Sequence, residues 1–146
     1  MSSVTTNQSG STPTSRSAVR AAAAGAAGIC MGFAGMQVAL AAGAPLGEHV
    51  WGGTQDRVLS GDMRIVSCGA AVVLTAMDAT IARRGGLLGH QARWLAPATW
   101  GIAGYMALNT LGNLTSSSPV ERYGFAAATA VVSGLTTFVA LSTRGE

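Results

Sequence analysis

Apolar and polar positions along this chain are sorted into long blocks. Residues 21–42 carry no charge, residues 65–82 form an apolar run broken only by Asp78, residues 95–114 another containing Asn109 and Asn113, and residues 123–141 a fourth. About 20 predominantly apolar residues in a helix cross the hydrocarbon core of a bilayer. Each block is therefore a candidate span, and with flanking helix ends the four run over about 21–42, 63–82, 95–114 and 120–141. The first 17 residues, MSSVTTNQSGSTPTSRS, have almost nothing to bury and read as a disordered polar tail. Residues 18–146 read as one four-span domain, an all-α integral membrane four-helix bundle.

Punctuation at the block edges sharpens this picture. Ser118-Pro119-Val120-Glu121 matches a capping box with proline at the first helical position, so the fourth helix should begin near Pro119. Asp62 is a comparable cap for the second helix, and Pro97 falls in the first turn of the third. Trp94, Trp100 and Tyr123 lie near predicted boundaries, where amphipathic rings favour the headgroup layer. Ala24, Gly28 and Gly32 recur every four residues in the first span, as do Ala126, Ala130 and Gly134 in the fourth. Such faces let helix backbones approach closely, and packing within the monomer is the expected use.

Charge then orients the spans. All nine basic residues are arginine. Arg16 and Arg20 precede the first span, Arg83, Arg84 and Arg93 lie between the second and third, and Arg144 follows the fourth, whereas the opposite side has only Arg57, Arg64 and Arg122. Cytoplasmic flanks are the arginine-rich ones, so both termini are expected in the cytoplasm and the protein in the cytoplasmic membrane. A rival reading takes the first span with Ala39-Leu40-Ala41 as a secretory signal with its cleavage site. The run exceeds the length of an ordinary signal core, which favours the four-span reading.

Polar residues in a spanning helix are costly and tend to face the interior. In the second span Arg64, Ser67, Ala71, Thr75 and Asp78 fall on one helical stripe, and in the third Gly101, Tyr105, Asn109 and Asn113 do the same. If the stripes face each other they form a polar seam, with Arg64, Asn113 and Glu121 meeting at its outer mouth and Asp78 near the cytoplasmic end. The seam reads either as a ligand cleft or as side chains that knit two helices together, with Asp78 paired to an arginine. The longest connection, residues 44–62, holds Glu48, His49 and Trp51 as candidate contacts on the outer side. Glu48, His49 and Asp56 lack the second histidine that would make a persuasive metal site, and His90 belongs to the other face.

Composition narrows the chemistry. Hydrophobic residues make up 49% and charged residues 10%, with 20 glycines, too little charge for an ordinary soluble surface. Cys30 and Cys68 are the only cysteines, which excludes a disulfide framework or a multi-cysteine zinc site. The chain has no P-loop, no GxGxxG, no HExxH and no basic aromatic patch, so nucleotide, protease and nucleic-acid roles lack support. No enzyme activity and no cofactor are expected. Asn113-Leu114-Thr115 matches the glycosylation tripeptide at a helix end.

GAPLGEHVWGG at residues 43–53, Arg64-Ile65-Val66-Ser67, and NLTSSSPVER at residues 113–122 resemble a group of small four-span bacterial membrane proteins. The resemblance implies the four-helix membrane fold and directs attention to the outer mouth, and it brings no activity or catalytic residue. Lipid is the expected surround, with another membrane protein or a second copy as partner. The leading expectation is thus an accessory or interaction protein, and the alternative a small oligomeric transporter or ligand-binding protein using the seam. The first span offers only Gln37 where four-span drug exporters carry a carboxylate, which weakens the transporter reading.

Overall fold

A computed structural model describes residues 13–89 and 92–144, with side chains from residue 15. Every regular element among them is helical: α1 Pro13–Ala41, α2 Gly61–Arg84, α3 Ala96–Leu114 and α4 Ala126–Ser142. A π-helical turn, Val120–Phe125, leads directly into α4, and single 3-10 turns lie at Gly47–His49, Trp51–Gly53 and Arg93–Leu95. The predicted spans are recovered as helices, with one boundary corrected. α1 starts at Pro13, a residue whose fixed φ suits a first helical turn, so residues 13–17 are helix and not tail. The rest of the predicted tail, and His90, lie outside the described residues.

Three stretches are long and apolar enough to cross a membrane: Ser15–Ala41, Gly61–Arg84 and Val120–Ser142. α3 spans 19 residues, about 28 Å at 1.5 Å per residue, and is not among the three; Asn109 and Asn113 interrupt its apolar run. Large apolar side chains face outward: Ile65, Val72 and Leu108 are each about 70% exposed.

Packing follows from side-chain size. α1 lies along α2 and α4, while α3 lies along α4 and barely touches α2. The buried stripe of α1 is Ala22, Ala23, Ala26, Ala27, Cys30 and Ala34, small groups that bring the backbones close. Gly85, just beyond α2, sits so close to Ala23 that an added Cβ would overlap the alanine's own. One core cluster joins this stripe to Ile81, Ile102, Met106, Val132 and Val139. A second joins Leu40 to Val50 and Leu59, so the α1–α2 loop folds down onto the helix ends.

The small-residue motif singled out in the sequence is not what packs. Gly28 and Gly32 have nothing within 4 Å of an added Cβ, and Ala24 is exposed with them. Ala22, Ala23 and Ala26 occupy the interior instead, because the helix buries the neighbouring stripe. In α4 only Ala126 of the predicted trio is buried, while Ala130 and Gly134 face outward.

Four arginines fasten helix ends. Arg20 Nη1 donates to Gly86 O beyond α2 (3.1 Å), and Arg64 Nε, on the first turn of α2, donates to Ala41 O at the end of α1 (2.7 Å). Arg84, 2% exposed, donates through Nη2 to Thr143 O beyond α4 (2.6 Å). Arg122 donates through Nε and Nη2 to Ser116 O beyond α3 (3.0 and 2.6 Å). The last carbonyls of a helix have no intrahelical donor and carry partial negative charge, and a guanidinium answers both needs. These contacts gather the start of α1 and the ends of α2 and α4 at one pole, called here the terminal end. The α1–α2 loop and the α3–α4 turn form the opposite, loop end.

Candidate functional site

At the loop end the chain Trp51-Gly52-Gly53 takes three successive positive φ values, 54°, 84° and 71°. Such backbone is costly for tryptophan and persists only where the surroundings hold it. The holding contacts come from the α3–α4 turn. Gly52 N donates to Glu121 Oε2 (2.9 Å), and Ser117 Oγ donates to Gly52 O (2.7 Å). Gly53 lies against Ser118 so closely that any Cβ would meet the Ser118 backbone. Glu121 Oε2 also accepts the Ser116 hydroxyl, and Ser116 Oγ in turn accepts Ser118 N (3.0 Å).

This corrects the predicted capping box. The helix does start at Pro119, but no side chain caps it: Ser116 Oγ takes the Ser118 amide ahead of the helix, and Glu121 reaches across to the loop instead of back to the cap. Ser118 Oγ is buried without a hydrogen-bond partner among the described residues. In the same way Ser60, not Asp62, caps α2, accepting Met63 N.

Beneath this clamp lies a cleft of about 250 Å³, partly open to the outside. α1 contributes Phe33, Met36 and Gln37, the loop Val50 and Trp51, α2 Ala70, Val73 and Leu74, α3 Tyr105, Met106, Asn109 and Asn113, and the α4 segment Glu121, Phe125 and Thr129. Val73 and Tyr105, each 48% exposed, flank the opening from α2 and α3. The cleft exists because those two helices barely meet while both pack on their other neighbours.

The structure brings together only part of the predicted seam. From the α3 stripe Tyr105, Asn109 and Asn113 line the cleft and Gly101 does not, with Asn109 Nδ2 donating to Tyr105 O (2.9 Å). The α2 stripe does not line it. Ser67 and Ala71 are buried toward α1, and the wall α2 gives the cleft is Ala70, Val73 and Leu74, roughly a quarter turn away at 100° per residue. Small residues go to the closest helix contact, and that contact is with α1. Arg64 is committed to Ala41 and Gly43 and does not join Asn113 and Glu121 at the mouth. Asp78 is not among the residues that line the cleft, and no ion pair ties it to an arginine among the described residues. Trp51 lines the cleft, whereas Glu48 and His49 are half exposed and pair with each other at 3.5 Å. No cluster of three or more metal-ligating side chains occurs among the described residues.

Sequence reasoning gave Gln37, Phe33 and Phe125 no part in the site. Gln37 and Trp51 both line the cleft, and Gln37 Oε1 and Trp51 Nε1 are buried without a hydrogen-bond partner among the described residues. Phe33 and Phe125 meet edge to face, 5.4 Å between centroids, at its floor. The one polar position in the first apolar block, Gln37, was the available signal. Comparison with protein-family models, with curated proteins and with solved structures finds no match to this chain.

Proposed function

We propose that this chain is a multi-pass protein of the cytoplasmic membrane whose four helices cross the bilayer as a bundle, and that it binds a small amphiphilic ligand in the cleft between α2 and α3. The observation that carries the binding reading is a partly apolar cavity lined by two side chains, Gln37 and Trp51, that each hold a buried polar atom without a partner, Oε1 and Nε1. A buried polar group without a partner costs free energy, and a ligand with a complementary group removes that cost. In this reading α3 crosses despite its asparagines, because they face the cleft while Leu108, Leu111 and Trp100 face lipid. Both termini lie on the cytoplasmic side, in keeping with the six arginines at the terminal end.

The role is binding, with transport as its extension, and not catalysis. Ala70→Phe tests it, because the ring fills the cleft from the α2 wall. Saturable binding of amphiphilic probes to the protein in lipid nanodiscs should be lost in this variant; equal binding by the variant would remove the cleft from consideration.

A second reading, an accessory protein that engages another membrane protein or a second copy, is favoured by the unpartnered face of Ala24, Gly28 and Gly32 on α1. Extraction in mild detergent followed by mass measurement of the intact complex tests it. A stoichiometric partner lost on Gly28→Leu supports this reading, and a monomer in both forms removes it.

A further inference from the structure

Resting on the cleft being a binding site, we infer that its ligand is a primary ammonium carried on a compact apolar body. Uncommitted oxygen acceptors around the cavity come from three different helical segments. Glu121 is 6% exposed, with Oε2 taken by Gly52 N and the Ser116 hydroxyl, while Oε1 has no hydrogen bond among the described residues. Gln37 Oε1 is buried and unmatched. Asn109 spends its Nδ2 on Tyr105 O, which leaves Oδ1 as its free end.

A carboxylate in such a place requires a cation, since charge removed from water is costly unless paired. The protein withholds one. Arg122, next in sequence, turns its guanidinium to Ser116 O, and Arg64 at the same end is held by Ala41 O. Within the described residues no basic group stands at ion-pair distance from Glu121. Aromatic rings line the same space, from Phe33, Trp51, Tyr105 and Phe125, and ring faces attract ammonium groups. An ammonium with N–H donors, unlike a quaternary one, satisfies the oxygens as well as the rings. Trp51 Nε1 is a buried donor without a partner, which an acceptor oxygen on the same ligand would match.

Two sources share this chemistry, a free amphiphilic amine and the headgroup of an ethanolamine phospholipid entering through the opening beside Val73 and Tyr105. The experiment uses full-length protein in phosphatidylcholine nanodiscs, with Trp94 and Trp100 changed to phenylalanine so that Trp51 fluorescence reports the cleft. The probes are 3-phenylpropylamine and its uncharged isostere 3-phenylpropanol. The amine is expected to bind tighter by on the order of tenfold to a hundredfold, the range for a hydrogen bond to a charged group. Glu121→Gln keeps an oxygen for Gly52 and Ser116 but removes the charge, and should erase the difference between the probes while lowering the melting temperature by no more than a few degrees.

Equal affinity for amine and alcohol in the unaltered protein would overturn the inference. It would leave the cleft reading standing if Ala70→Phe still abolishes both. No saturable response to either probe would overturn the inference and the cleft reading together. Phosphatidylethanolamine added to the nanodisc should weaken amine binding by competition if the headgroup is the natural occupant, and leave it unchanged if a free amine is.

Discussion

Replacing Glu121 by alanine removes the acceptor for two donors at once, Gly52 N–H and the Ser116 hydroxyl. A hydrogen bond to a charged group contributes about 1.5–3 kcal/mol, and a buried donor left unmatched costs a similar amount. Ser116 can rotate its hydroxyl, whereas the Gly52 amide cannot turn, since Trp51 and Gly53 hold it in a run of positive φ. The net loss in Glu121→Ala is therefore about 3 kcal/mol, and in Glu121→Gln, which keeps an acceptor oxygen, about 1 kcal/mol or less. The loss should be local before it is global. The α1–α2 loop is pinned by this carboxylate, by Ser117 on Gly52 O, and by the small cluster of Leu40, Val50 and Leu59. Equilibrium unfolding in detergent gives the total, and amide hydrogen exchange of the loop peptide gives its location. Exchange should accelerate at residues 50–53 in the alanine variant and stay near the unaltered rate in the glutamine variant. Equal damage by alanine and glutamine would show that charge, not hydrogen bonding, secures the loop; unchanged exchange in the alanine variant would refute the clamp itself.

Gly85→Ala should destabilise by about 1–3 kcal/mol, the usual cost of overpacking, because its Cβ collides with Ala23 and must part α1 from α2; thermal unfolding measures it. Gly28→Leu should change monomer stability by less than about 0.5 kcal/mol, since its Cβ position is open, and a larger loss in the detergent-solubilised monomer would contradict the outward face. Double replacement of Thr110 and Thr129 by valine removes their mutual hydrogen bond (2.9 Å) at a cost near the ~0.6 kcal/mol average for such bonds in membranes, measured by a double-mutant cycle. Asn109→Ala should weaken probe binding in the cleft while Asp78→Asn leaves it unchanged, because Asn109 lines the cleft and Asp78 does not. Intact mass of the purified protein should include α1, whose Ala23, Ala26, Cys30 and Leu40 supply much of the core that the other helices pack against.

Much of the architecture was legible in the order of residues. Helix positions followed from unbroken apolar blocks, because a helix is local and its ends are marked by nearby residues such as Pro119 and Pro97. The Tyr105-Asn109-Asn113 stripe was legible for the same reason, as spacing within one helix fixes which side chains share a face. Rotation of each helix against its neighbours was not. Nothing in the spacing of Ala24, Gly28 and Gly32 distinguishes that stripe from the one formed by Ala22, Ala23 and Ala26, and only the assembled structure buries the second. The α2 polar stripe was real as a pattern but turned toward α1, so Arg64 and Asp78 left the site that Gln37 joined.

The sequence alone thus determined that this protein is helical, where each helix runs, and which residues of a helix travel together. Tertiary structure decided the partners. Glu121 reads locally as a helix cap, yet Gly52, 69 residues earlier, is what it holds. The arginines read as topology signals, yet Arg20, Arg64 and Arg84 also close the ends of other helices. Hydrogen bonds between distant residues depend on how helices are rotated and spaced, and that is set by the sum of many small packing contacts spread over the whole chain.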